Sequence, residues 1–189
     1  MEKSIKPDVR YLNEMKEMFI DASSIKENTP LYYMYRGVKQ EDELRYDITV
    51  LPPLLIGEEF NKTKGHCHCS GHEELYIVLK GQALFLMQKQ EKEEITDVFY
   101  IKAEPKEAAI VPQGYSHFTI NPSPEETLET ANWVSINCLP DYKPIEKMKG
   151  ASYYYTTKGW IKNNNYKKVP PIREEKPLKQ APQELSFLK

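Results

Sequence analysis

The side chains able to do chemistry concentrate in Thr63-Lys64-Gly65-His66-Cys67-His68-Cys69-Ser70-Gly71-His72-Glu73-Glu74-Leu75-Tyr76, where two histidines two residues apart precede a pair of carboxylates. On an extended strand, residues i and i+2 share a face, so His66 and His68 point the same way and can grip one ion. Imidazole suits Zn, Cu, Fe and Ni, and a carboxylate beside open positions suits a catalytic Fe(II) or Mn(II) site. Taken alone, His-x-His reads as two solvent-facing side chains on a strand edge. Alternation sends Cys67 and Cys69 to the opposite face, and structural zinc sites use wider cysteine spacings, so a Cys/His zinc knuckle is disfavoured.

A second stretch, Pro112-Gln113-Gly114-Tyr115-Ser116-His117-Phe118-Thr119-Ile120-Asn121, adds a third imidazole. Together the two stretches resemble the paired signatures of the cupin superfamily. His66, His68, Glu74 and Gly81 fit the first, and Pro112, Gly114, His117 and Asn121 fit the second. Lys106 stands where the second signature opens with glycine, inside Glu104-Pro105-Lys106-Glu107, which still reads as a turn. The resemblance implies an all-β fold, a cupin jelly-roll β-barrel, with a divalent metal held by His66, His68, Glu74 and His117. Glu73 fits a looser version of the spacing. Alternation sets Glu74, Tyr76 and Val78 on one face and Glu73, Leu75, Ile77 and Leu79 on the other. Glu74 beside Tyr76 therefore reads as a pocket wall and the Leu/Ile/Leu row as packing. Three imidazoles and one carboxylate leave two positions of an octahedral ion open. That count points to Fe(II) or Mn(II), with Zn(II) or Ni(II) as further candidates.

The elements that must position these groups are short strands. Leu31 to Val38 and Leu44 to Leu51 are rich in Tyr, Ile, Thr and Val, and Pro52-Pro53 ends the second run. Further strands are expected near 64–69, 74–80, 83–89, 95–103, 107–111, 115–120, 127–138 and 153–157, separated by turn-forming residues. Many short strands without long helices is the pattern of a small barrel, whose closure would remove exposed edges. Val9, Leu12, Met15 and Phe19 suggest a short helix that Asp8 could cap, or a loop lying across the barrel, and Pro144 to Lys149 a brief second helix. The expected organisation is an N-terminal extension over 1–30, the barrel over 31–160 and a C-terminal tail over 161–189. Both extensions are helical or irregular, and Lys176 to Lys189 is surface-draped or mobile with little to bury.

The likeness narrows to the cupin-type glucose-6-phosphate isomerases. Thr63-Lys64-Gly65-His66-x-His68 with Glu74-Leu75-Tyr76-x-x-Leu79-Lys80-Gly81 is similar to that family. So are Leu12-Asn13-Glu14-Met15, Phe19-Ile20-Asp21, Tyr32-x-x-Tyr35, Thr49-Val50-Leu51, Val111-Pro112 and Asp141-Tyr142. The resemblance implies a metal-dependent exchange of glucose 6-phosphate and fructose 6-phosphate. Thr49, Thr63 and the Gly65 backbone would hold the sugar phosphate, Tyr32 and Tyr76 would touch substrate, and Glu74 would bind metal and move a proton. Lys64 is available beside them. Alternation alone puts Thr63 opposite the metal histidines, a phase that a bulge at Gly65 could break. Asn137-Cys138-Leu139-Pro140 lacks the further pocket aromatic and histidine of the family, and His72 has no counterpart.

At 189 residues the chain fits one well-buried domain. A net charge of −2 with both signs interleaved gives no footprint for nucleic acid, and no apolar run suggests a membrane span. Three cysteines and no secretory signal suggest the cytoplasm. The same ligand set also serves a metal-dependent cupin oxidase or dioxygenase, and a non-catalytic sugar-binding cupin is the third reading. A homodimer is expected from the cupin likeness.

Overall fold

The computed structural model describes residues 5–68 and 71–189. In chain order the strands are β1 (Asp8–Tyr11), β2 (Pro30–Glu41), β3 (Leu44–Leu51), β4 (Leu55–Ile56), β5 (Glu59–Phe60), β6 (His66–Cys67), β7 (Glu74–Lys80) and β8 (Ala83–Glu91). They continue as β9 (Glu94–Ala103), β10 (Ala108–Val111), β11 (Tyr115–Ile120) and β12 (Leu128–Ser135). A short helix α1 (Lys143–Lys147) precedes β13 (Tyr153–Thr156), β14 (Gly159–Lys162) and β15 (Arg173–Glu175). β7, β11 and β12 of the site are short and carry β-branched or aromatic residues, whereas β6 is only His66-Cys67.

These strands form a six-stranded sheet ordered β1-β2-β3-β12-β7-β10, a five-stranded sheet β15-β9-β8-β11-β6, and a four-stranded sheet β14-β13-β5-β4. The first two face each other as a jelly roll. Between them lies a cluster built from both, including Tyr76 and Val78 of β7, Phe85 and Met87 of β8, and Phe99 and Ile101 of β9. The hydrogen bonding does not run round as one closed cylinder among the described residues; closure comes from side chains across the gap. The exposed edge of β10 is instead covered by the tail, where Ala108 and Leu178 exchange two backbone hydrogen bonds of 2.9 Å.

The outer faces carry their own cores. Leu84, Leu86, Val98, Phe118 and Ile120 pack outward against Ile145, Met148, Tyr166 and Val169. On the other side, Leu75 and Trp133 pack with Leu44, Ala108 and Leu188. β7 is thus held on both faces, with Leu75 turned away from Glu74 by simple alternation.

Two expectations are corrected. The N-terminal helix does not form: residues 8–11 join β2 as a strand, followed by single 3-10 turns at Leu12–Glu14 and Lys16–Met18. Glu14 accepts from the Tyr11 amide at 2.8 Å and caps the first 3-10 turn, while Asn28 accepts from Asn13 at 2.9 Å and Glu59 from Ile20 at 3.0 Å. Leu12, Met15, Met18 and Phe19 are buried all the same. Asp8 caps nothing, and its carboxylate accepts from Arg36 Nε at 3.2 Å. The stretch from Lys176 to Lys189 does bury something: Leu188 is 0% exposed, and Leu178 pairs with Ala108.

A buried ion pair pins the N-terminal segment. Lys62 and Glu59 bond directly, Lys62 Nζ donates to the Met18 carbonyl at 2.7 Å, and the ammonium lies 4.4 Å from the centre of the Phe19 ring. Burial pulls both partners toward neutrality, lowering the Lys62 pKa and raising that of Glu59. No helix among the described residues is long and apolar enough to cross a membrane.

Candidate metal centre

The site sits where the two large sheets face each other. β6 pairs antiparallel with β11 so that His66 lies opposite His117. Across the gap, β7 supplies Glu74 and Tyr76, and its neighbour β12 places Val134 opposite Glu74 and Asn132 opposite Tyr76. His66, His68, Glu74 and His117 each bring one ligand atom to a common point, all within 4.8 Å of one another. The Nε2 atoms of His66 and His68 are 2.8 Å apart, and Glu74 Oε2 lies 3.3 Å from His68 Nε2 and 3.1 Å from His117 Nε2. Glu73, the other carboxylate weighed, is not in this group.

The donor set fits a divalent cation. Burial pulls His68 down to about 4 and His117 to about 3, and burial followed by the neighbouring His117 holds His66 well below its ordinary value. Near neutral pH all three imidazoles are uncharged, the form that offers a lone pair to a metal. Asn132 donates to Glu74 Oε1 at 2.7 Å, whereas Oε2 is buried without a hydrogen bond. A buried carboxylate oxygen left in that state is costly unless a cation occupies the space it faces. Tyr76 stays a neutral phenol, since burial and then Glu74 raise its pKa well above the usual tyrosine value. Its hydroxyl is 3.2 Å from His117 Nε2.

The same pocket is lined by Tyr32, Thr49, Thr63, Gly65, His66, His68, Glu74, Tyr76 and His117, whereas Lys64, His72 and Glu73 lie outside its lining. Thr63 also reaches this side, from the irregular stretch before β6 in which Gly65 adopts φ +71°. A Cβ there would meet the Phe118 ring at 2.2 Å and the His117 carbonyl oxygen at 2.8 Å, so glycine is needed twice over. Lys64, free for an anion on sequence grounds, bonds Glu146 and lies 5.1 Å from the centre of the Tyr142 ring. Its amide donates to the Tyr32 hydroxyl at 3.2 Å. Cys67 is buried outside the ligand group, exchanging backbone bonds of 2.9 Å with Asp141, and Cys69 lies outside the described residues. His72 does not line the pocket.

Sequence reasoning missed Arg36, Arg45, Asp47 and Asn132, all of which line the pocket. The signal was present in the alternation: Arg45, Asp47 and Thr49 share a face of β3, and Tyr32, Met34 and Arg36 share a face of β2. Cys138, Pro140 and Tyr142 form the far wall, where the family aromatic and histidine were not found. The enclosed space is about 90 Å³. A larger open groove of about 740 Å³ runs between the N-terminal segment and residues 161–165, but none of the metal group lines it.

Curated relatives match a little over three fifths of this chain. A glucose-6-phosphate isomerase of Thermococcus litoralis is 35% identical over 127 residues, covering 63% of this chain and 65% of the relative. One from Pyrococcus abyssi is 34% identical over 125 residues, covering 62% and 64%, and one from Pyrococcus furiosus is 36% identical over 124 residues, covering 61% and 64%. The chain thus spans a little under two thirds of the length of these relatives. The family signature described as glucose-6-phosphate isomerase (GPI) matches residues 8–171, from β1 to the segment before β15. With the fold, the ligand cluster and that match in place, the chain belongs to the glucose-6-phosphate isomerase family.

Proposed function

We propose that this protein is a metal-dependent aldose–ketose isomerase interconverting glucose 6-phosphate and fructose 6-phosphate. One observation carries the reading: three neutral imidazoles, two buried and one half-buried, converge with a carboxylate oxygen without a hydrogen bond in one pocket of a chain that belongs to this family. His66, His68, Glu74 and His117 would hold the ion, with Fe(II) or Mn(II) favoured by the nitrogen-rich set and its open positions. When bound, such an ion polarises the sugar carbonyl and fixes the neighbouring hydroxyl oxygen.

Glu74 is the acid–base group moving the proton between C1 and C2, held in orientation by Asn132. Tyr76, kept protonated, donates a hydrogen bond to a sugar oxygen. Thr49, Thr63 and the Gly65 amide contact the phosphorylated end, and Tyr32 closes the side wall. The enclosed volume of about 90 Å³ holds only a few waters, so substrate enters as the wall carrying Pro140 and Tyr142 moves outward. Leu139 beside Pro140 is 73% exposed, and outward movement of this wall has to break the two backbone hydrogen bonds between Asp141 and Cys67. The enzyme works as a cytoplasmic homodimer, a reading that rests on its likeness to the family.

The test is a coupled assay on protein stripped with EDTA and reloaded with Fe(II), Mn(II), Zn(II) or Ni(II). Isomerisation should return with at least one metal. No turnover with any of them rejects the reading, and oxygen uptake in its place would identify an oxidase. Sedimentation as a monomer would reject the dimer.

A further inference from the structure

The pocket holds two arginines that the reading above does not use. The phosphate contacts assigned there (Thr49, Thr63 and the Gly65 amide) are all neutral, and the one nearby lysine, Lys64, is paired with Glu146. A phosphoryl group carries close to two negative charges at neutral pH. Neutral donors can orient such a group but leave its charge unbalanced beside Glu74.

Arg45 and Arg36 bring cationic donors to the pocket, with Asp47 and Asp8 offsetting their net charge, and their geometry is fixed in advance. Asp47, only 4% exposed, lies between them. Its carboxylate accepts Arg45 Nε at 2.9 Å on each oxygen and the Gly37 amide at 2.7 Å, and Arg36 Nη1 stands 3.6 Å away. Arg36 is held from two further sides, by Asp8 at Nε and by Met34 Sδ, 3.4 Å from Nη2. Because Asp47 takes the Nε edge of Arg45, both of its Nη groups are left without a hydrogen-bond partner among the described residues. They form a planar fork of the kind that matches two phosphoryl oxygens. The Arg45 side chain is 30% exposed, so it is not sealed within the pocket.

The register sets the distance to the reacting end. Val134 of β12 lies between Arg45 of β3 and Glu74 of β7, opposite both. Two strand spacings separate them, about 10 Å. An open-chain hexose phosphate can span that interval with its C1–C2 end at the metal group.

We propose that Arg45 and Arg36, oriented by Asp47, form an oxyanion subsite that binds the phosphoryl group of the substrate. The subsite makes the pocket selective for phosphorylated over free sugars. This rests on the sugar-phosphate reading for the identity of the substrate, but the oxyanion site itself does not.

The experiment uses the full chain loaded with Mn(II), as wild type, Arg45→Gln, Arg45→Lys and Arg36→Gln/Arg45→Gln. Inorganic phosphate binding is measured by calorimetry, and KM and kcat are measured with fructose 6-phosphate. Arg45→Gln should weaken phosphate binding and raise KM by about tenfold or more, the double variant by about a hundredfold, with kcat and Mn(II) stoichiometry changed far less. Arg45→Lys keeps the charge without the fork and should fall between, which covers the case where Arg45→Gln does not fold. Unchanged phosphate affinity in folded variants overturns the proposal, as does wild-type protein that binds no phosphate. Wild type that binds phosphate through Arg45 yet isomerises nothing would sink the isomerase reading and leave the subsite standing. Equal losses in kcat and in Mn(II) content would assign the arginines to scaffold support and overturn the proposal too.

Discussion

Asn132 donates its side-chain amide to Oε1 of Glu74 at 2.7 Å, and so decides which carboxylate oxygen faces the three imidazoles. Hydrogen-bond partners of this kind commonly set metal affinity by 10- to 100-fold. Asn132→Ala should therefore weaken Mn(II) binding by about that factor while β12 keeps its pairing. A metal titration on the purified variant decides it. An affinity equal to wild type would show that Glu74 is held by its backbone alone.

Metal binding should show as stability. Mn(II) at a hundred times its dissociation constant adds about 2.7 kcal/mol to a protein that binds it only when folded. Wild type should gain roughly that amount in urea unfolding, and His66→Ala or His117→Ala almost none. Isomerase activity should fall below about one hundredth in either variant. A stability gain that survives both substitutions would place the ion elsewhere.

The metal-free protein should weaken in mild acid. His68 and His117 have folded pKa values of about 4 and about 3, below the ordinary 6.5, because burial disfavours their charged forms. Between those values and 6.5 the unfolded chain binds protons that the folded chain does not. Stability is therefore full above pH 6.5 and declines as pH falls toward 4 and then 3, at up to about 1.4 kcal/mol per pH unit for each histidine. Urea midpoints measured from pH 7.5 to 4.5 check the sign. His68→Gln should flatten the profile, and a wild-type profile already flat would refute the burial argument.

Lys106 occupies the third position of a turn closed by the Glu107 amide on the Glu104 carbonyl at 3.0 Å, with Pro105 before it and φ +77°. That is the left-handed position where glycine sits without strain. Lys106→Gly should raise stability by about 1 kcal/mol despite the added freedom of the unfolded chain. A lower urea midpoint in the variant would contradict this.

Lys62→Met removes one partner of a buried ion pair and leaves the Glu59 carboxylate without its cation. The expected loss is about 3–5 kcal/mol. Lys62→Met/Glu59→Gln should recover part of it, because no bare charge remains. Additive losses would mean that the two side chains contribute independently.

The ligand set was legible because it obeys two simple rules, strand alternation and the paired signatures. Glu74 was separated from Glu73 by asking which face carried Tyr76 and Val78, and the buried cluster contains those two. The arginines were not found, although Arg45 and Asp47 continue the row of Thr49. A charged residue on a strand whose other face is apolar reads as solvent-facing, and only the opposing sheet shows that this face lines a cavity. The N-terminal strand was hidden for a different reason. Val9, Leu12, Met15 and Phe19 do all face inward or partly inward, but a strand followed by two tight turns can imitate a helical spacing over so few residues. The capture of the Asn13 amide by Asn28 and the Ile20 amide by Glu59 involves partners 15 and 39 residues away, beyond any local pattern.

β7 presents Glu74 to the pocket and Leu75 to the outer core, in contact with opposite halves of the molecule. A slide of one residue along β12 would exchange them, thrusting a carboxylate among Trp133 and Leu188 while offering the ion a leucine. Both outcomes are prohibitive, so a mispaired chain has no shallow intermediate in which the centre is merely loose. Assembly of the ligands is in this sense digital: the protein that reaches its native pairing has the whole constellation, and one that does not has none of it.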